Sequence, residues 1–142
     1  MKDDELSLPG ELEKYRQMGD NEIQGAFICS RETFINLYKL EKRRSLREDI
    51  PRCLAHFNIT GDFDSQQIRE IENQLLETIS RELRTGDLAC RWKESHIVLL
   101  LPGTSAENAR KVLKRLEKNF FQQFDLNGVK LEKQVQSVAE LT

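Results

Sequence analysis

Arg84 and Asp87 stand three residues apart in R-T-G-D, just ahead of an apolar run. An arginine there could grip a phosphate with two parallel N–H donors, and the aspartate could accept from a ligand N–H. The alternative is a salt link tying a helix end to a strand. His56, His96 and Cys90 are of metal-ligating types and could converge if their segments were neighbouring strands. No fixed spacing joins them, so ordinary sheet positions are the favoured reading and no metal is expected. Lys42-Arg43-Arg44 could hold a phosphate; a solvated helix face with i,i+4 partners explains it more simply.

These residues fall on elements that the pattern of apolar side chains defines. Asp87–Trp92 and His96–Leu101 are two apolar-rich runs around Lys93-Glu94-Ser95, which reads as a β-hairpin. Ile97-Val98-Leu99-Leu100-Leu101 is continuously apolar, as a strand covered on both faces should be. Cys53–Ile59 alternates, with His56 and Asn58 on one face and Ala55, Phe57 and Ile59 on the other. Between this strand and the hairpin, Ile68, Ile71, Leu75, Ile79 and Leu83 form a helical stripe, capped by Asp64 or Ser65 and closed by Gly86 in a left-handed conformation. After the hairpin, Thr104-x-x-Glu107 reads as a capping box. Ala106, Ala109, Val112 or Leu113, Leu116 and Phe120 line the helix that follows. Residues 125–128 form a turn, and Val129–Val135 alternates as a half-exposed strand does.

The earlier part of the chain is helical. Ser7 could cap a lead-in helix with Pro9 in its first turn and Gly19 at its stop, carrying Leu8, Leu12 and Tyr15 on one stripe. Gly25–Cys29 is a short apolar segment ending at Ser30, a suitable N-cap. From Arg31 to Glu48 the pattern predicts a helix with Phe34, Leu37, Tyr38 and Leu40 on its buried side. The order β-α-β-β-α-β predicts an α+β fold: a ferredoxin-like or nucleotide-cyclase-like four-stranded antiparallel sheet, with helices on one face and N-terminal helices added. Residues 1–20 are assigned to a lead-in helix or linker and residues 21–142 to one domain.

With 142 residues the chain has the size of one domain. Apolar residues make up 38% and charged residues 32%, and the net charge of −2 lacks the basic excess of a nucleic-acid-binding surface. No run approaches the roughly 18 apolar residues of a membrane span, and the acidic start MKDDELSLPG has no secretory h-region. Cys29, Cys53 and Cys90 are odd in number and widely spaced. Reduced, buried thiols in a cytoplasmic protein are therefore expected.

The string R-x-x-D-L-x-x-R-W, a turn, and a strand ending in L-L-P resembles the signature region of GGDEF domains, the bacterial diguanylate cyclases. On that resemblance the five signature positions are Lys93, Glu94, Ser95, His96 and Ile97, and the metal-holding aspartate of the first core strand becomes Asn58. GAFIC-x-x-x-x-F-x-x-x-Y-x-L-E-x-R and L-L-P-x-x-x-x-E-N resemble more closely the C-terminal, degenerate GGDEF-like regions of Firmicutes antibiotic-regulatory-type transcriptional regulators. That likeness implies DNA-binding and helical domains elsewhere in the regulator.

A cyclase of this family needs divalent cations held by carboxylates, and glycines that let the backbone approach phosphates. Lys93 and Glu94 stand at the glycine positions, where a side chain crowds that approach. Ser95 and His96 stand at acidic positions, and Glu94 is one residue out of register, which on a strand means the other face. The resemblance therefore implies no catalysis, no cofactor and no metal. It implies a regulatory or protein-interaction module contacting other domains of the same regulator or a protein partner. The alternatives are a module sensing cyclic di-GMP or another nucleotide at Arg84 and Asp87, where the family has an inhibitory site, and an enzyme with residual nucleotide turnover.

Overall fold

The computed structural model describes residues 10–16, 25–124 and 126–140. The elements run α1 (Gly10–Arg16), β1 (Phe27–Ile28), α2 (Arg31–Ser45), β2 (Arg52–Thr60), α3 (Ser65–Glu82), β3 (Leu88–Lys93), β4 (His96–Pro102), α4 (Ala106–Gln123) and β5 (Lys130–Ser137), closed by a 3-10 turn at Val138–Glu140. The Ser7 cap, Pro9 and Gly19 of the expected lead-in helix lie outside the described residues.

The strands form one sheet in the order β1-β3-β4-β2-β5. The expected β3–β4 hairpin is present, antiparallel, with Ala89 opposite Leu99 and Arg91 opposite Ile97. Central β2 pairs antiparallel with β4 on one side and with β5 on the other. The sheet is mixed rather than purely antiparallel. A fifth strand, Phe27–Ile28, runs parallel to β3, with Phe27 N–H donating to Asp87 O and Cys29 N–H to Ala89 O. Two residues are too short a run to show a period of two.

Alternation along β2 divides the core. Cys53, Ala55, Phe57 and Ile59 pack under α3 and α4 with Leu75, Ile79, Leu99, Leu116 and Phe120. Among the described residues the opposite face is covered only in part. There Phe34 of α2 packs on Cys90, Leu100 and Val138, with Tyr38, Leu54, Trp92 and Val98 half-buried around them. The helices thus lie on both faces: α3 and α4 on one as expected, α2 on the other. Phe57 is fully buried between sheet and helices; removing such a ring costs about 3–5 kcal/mol.

The helix termini differ from expectation at three places. Ser30 caps α2, accepting from Thr33 N–H, but the helix stops at Ser45, and Leu40 is exposed while Glu41 is buried. Glu41 and Glu48 hold the buried Arg52 guanidinium, Glu41 Oε1 at 2.7 Å from its Nε, which locks the end of α2 to the start of β2. Asp64 caps α3 in a reciprocal capping box with Gln67. That helix ends in an extended Leu83, and Gly86 is absent from the positive-φ residues. Ser105, not Thr104, caps α4, because Thr104 is engaged by Arg84.

Candidate functional site

The β3–β4 turn is tighter than its sequence indicates. Lys93 pairs with His96, leaving Glu94-Ser95 as a two-residue loop, with a register shift between Arg91 and Lys93. Ser95 takes φ of +72°, a left-handed conformation that few non-glycine residues adopt. What holds it there is Glu72. This α3 carboxylate is fully buried and accepts from Arg91 Nε at 2.6 Å and from Ser95 N–H at 2.7 Å. Ser95 O in turn accepts from Ile59 N–H at 2.8 Å. Helix, turn and central strand are therefore bonded into one unit. The sequence did carry a signal for Glu72: it lies three before Leu75 and seven before Ile79, a charge inside the apolar stripe.

His56, Asn58 and His96 share the sheet face opposite α3 and α4. His56 Nε2 and His96 Nδ1 are 2.7 Å apart, with parallel rings whose centroids are 4.9 Å apart. The centroid separation exceeds the nitrogen separation by about one ring width, so the rings lie edge to edge in one plane rather than face to face. That is the geometry of an N–H···N hydrogen bond. Burial first, then His96 and Lys93, holds the His56 pKa below its ordinary value, with Gln134 opposing. Burial and Lys93 do the same for His96. Cys90 is not part of the pair. It is buried under Phe34 and Val138, and burial pushes its thiol up to about 12.

Asn58 Nδ2 donates to Glu132 Oε1 at 3.1 Å. A hard divalent cation takes oxygen ligands; this face offers an imidazole pair bonded to itself and a carboxamide whose nearest carboxylate is already its partner. The set does not fit such an ion. Among the described residues no group of three or more His, Cys, Asp and Glu side chains could hold a metal. Lys93 precedes the turn and Glu94 lies in it, both exposed, and Ile97 is fully buried in the core.

Arg84 and Asp87 do meet. Asp87 accepts from Arg84 N–H at 3.0 Å and from Arg84 Nη2 at 3.2 Å. The same Nη2 donates to Pro102 O at 2.8 Å and Thr104 Oγ1 at 2.9 Å. This joins the end of α3, the start of β3 and the end of β4. Asp87 is buried, whereas the Arg84 side chain is 62% exposed. In the basic cluster, Arg44 pairs with Glu41 at 2.8 Å and Lys42 Nζ donates to Val138 O at 2.9 Å.

No family model matches the sequence, and comparison with curated proteins also gives no match. Solved structures do match. A DGC protein from Thermotoga maritima has a TM-score of 0.65 at 15% identity, covering 81% of this chain and 83% of its own. The FimX GGDEF domain from Pseudomonas aeruginosa has a TM-score of 0.63 at 20% identity, covering 81% and 78%. The diguanylate cyclase SiaD of the same organism, solved in complex with its activator SiaC, has a TM-score of 0.62 at 23% identity. That match covers 76% of this chain and 46% of SiaD. The chain has the α+β fold of GGDEF, nucleotide-cyclase-like domains.

Proposed function

We propose that this chain is a non-catalytic GGDEF-like regulatory module that acts through protein contacts. The observation that carries this reading is the hydrogen bonding around the hairpin turn. Asn58 is committed to Glu132, His96 to His56, and the Ser95 N–H to buried Glu72. Groups that a phosphoryl-transfer site leaves open to cations and phosphates are here each bonded to a neighbouring side chain. The resemblance to Firmicutes antibiotic-regulatory-type regulators supports a cytoplasmic bacterial signalling or transcriptional protein as the setting. The partners are then other domains of that regulator or a separate protein, as SiaD has its activator. Incubating the purified chain with GTP and magnesium or manganese, followed by chromatography, tests the reading. No cyclic di-GMP or other turnover product is expected, and product above a no-protein control would refute it.

A second reading is favoured by the exposure of the Arg84 guanidinium. Cyclic di-GMP sensing there would rest on the Arg84 guanidinium turning outward from Pro102 and Thr104, since Asp87 is buried beneath it.

A further inference from the structure

A groove of about 730 Å³ opens on the sheet face that α2 covers only in part. Its floor is Leu54 and His56 of β2 and Val98 of β4; the wall toward α2 is Phe34 and Tyr38, with Trp92 on the β3 side. Gln134 and Gln136 of β5 form the far rim. In strand register the floor lies beyond the pair Asn58–His96, on the side away from the hairpin turn. It adjoins the imidazole pair through His56 but includes neither the turn residues nor Arg84 and Asp87.

The lining is specific in three ways. Leu54 and Val98 belong to the two strands at the centre of the sheet, yet both remain half-exposed. Three aromatic side chains border them, a composition suited to a flat apolar partner. Among the described residues no Asp, Glu, Lys or Arg side chain lines the groove. The His56 imidazole, its pKa lowered chiefly by burial, adds no charge at neutral pH. The polar groups are the two carboxamides: the Gln134 oxygen already faces His56 and leaves its N–H₂ as a donor, while Gln136 supplies both a donor and an acceptor. The Arg31 guanidinium lies 4.0 Å over the Trp92 ring and donates to Trp92 O at 3.3 Å. The volume falls within the range of small-molecule sites, about 300–1,000 Å³.

We propose that this groove binds a small, flat, uncharged heteroaromatic ligand. Its rings lie on Leu54 and Val98 between the aromatic wall and the β5 rim, and its N–H and C=O groups meet Gln134 and Gln136. A phosphorylated or carboxylated ligand finds no cation in the lining, and a long apolar chain leaves the two carboxamides unpaired.

Trp92 is the only tryptophan, so its indole N–H gives one resolvable signal in a ¹H–¹⁵N spectrum of the whole labelled chain. Theophylline, a flat neutral bicycle with a ring N–H and two carbonyls, is the probe. Caffeine, which lacks the N–H, is the control. Theophylline is expected to shift the Trp92 indole and the Gln134 and Gln136 side-chain amide signals saturably, with a Kd of about 1 mM or tighter, the scale of a fragment-sized ligand. Caffeine should bind about fivefold more weakly or worse, since one donor is lost. Val98→Phe fills the floor and should weaken binding at least tenfold. Gln134→Leu, on the exposed rim, should weaken it about fivefold while leaving the spectrum dispersed. The proposal is overturned by no saturable shift up to 10-fold above that Kd, by shifts that avoid Trp92, or by binding unchanged in Gln134→Leu. Signals that move with protein concentration instead would make the groove a self-association face, and would equally overturn it.

Discussion

Removing the Glu72 carboxylate tests whether the hairpin turn is held from inside the fold. Glu72 is fully buried and serves two donors, Arg91 Nε and Ser95 N–H. Breaking a buried ion pair from one side costs about 3–5 kcal/mol. The Arg91 side chain is 35% exposed, so its guanidinium can turn to water, which places Glu72→Ala at the low end, about 3 kcal/mol. Glu72→Gln keeps the shape and one acceptor oxygen, so only one donor is stranded, a cost of about 1–2 kcal/mol. In a chain of this length each kcal/mol moves Tm by about 3–5 °C. The expected losses are therefore about 10 °C for Ala and about 5 °C for Gln. Thermal and urea unfolding followed by Trp92 fluorescence and circular dichroism measures both. A double-mutant cycle with Arg91→Ala should return a coupling of about 1 kcal/mol or more. A Glu72→Gln variant within about 0.5 kcal/mol of wild type would show that the carboxylate does not hold the turn.

Gly25 takes φ of +77°, and a Cβ there would sit 1.9 Å from Ser80 O. Gly25→Ala should thus destabilise by about 2 kcal/mol or more in urea titration, and a neutral result would mean that β1 does not dock as described. His56 and His96 have folded pKa values below the unfolded one. Their contribution is complete above about pH 6.5 and is lost as pH falls below it, until the lower folded values are passed. Stability measured against pH should drop in that window and drop less in His56→Asn; an unchanged slope would contradict the imidazole pair. Arg84→Ala should cost about 1 kcal/mol, because buried Asp87 keeps the backbone N–H of residue 84 but loses the guanidinium, and Thr104 Oγ1 loses its donor. If the site also takes cyclic di-GMP, wild type will bind it at micromolar concentration and the variant at least tenfold more weakly; absence of binding by wild type would remove the sensing reading.

The long elements were legible because their stripes are regular. The apolar positions of α3 and α4 and the alternation of β2 placed the sheet, the hairpin and the main core where they are. Three features were not, each for a physical reason. Strand β1 is two residues long and gains its place from pairing with β3, which no local pattern encodes. The choice of Ser105 over Thr104 as cap depends on Arg84 reaching across from α3 and occupying the threonine. Leu40 looked buried by spacing, but α2 rotates so that Glu41 meets Arg52 instead. At the site, the pairing of Arg84 with Asp87 was one of two readings open in the sequence, and the geometry of His56 with His96 depends on register across β2 and β4. The role of Glu72 was hidden because a carboxylate inside an apolar stripe says that a partner exists without saying which.

A calorimetric titration of the purified chain with GTP in the presence of magnesium addresses the regulatory reading most directly. With Asn58, Ser95 and His96 bonded as they are, no heat of binding is expected at any GTP concentration up to millimolar. A saturable, magnesium-dependent heat that Glu94→Gln abolishes would contradict it, since the turn would then supply a carboxylate to a nucleotide-bound cation.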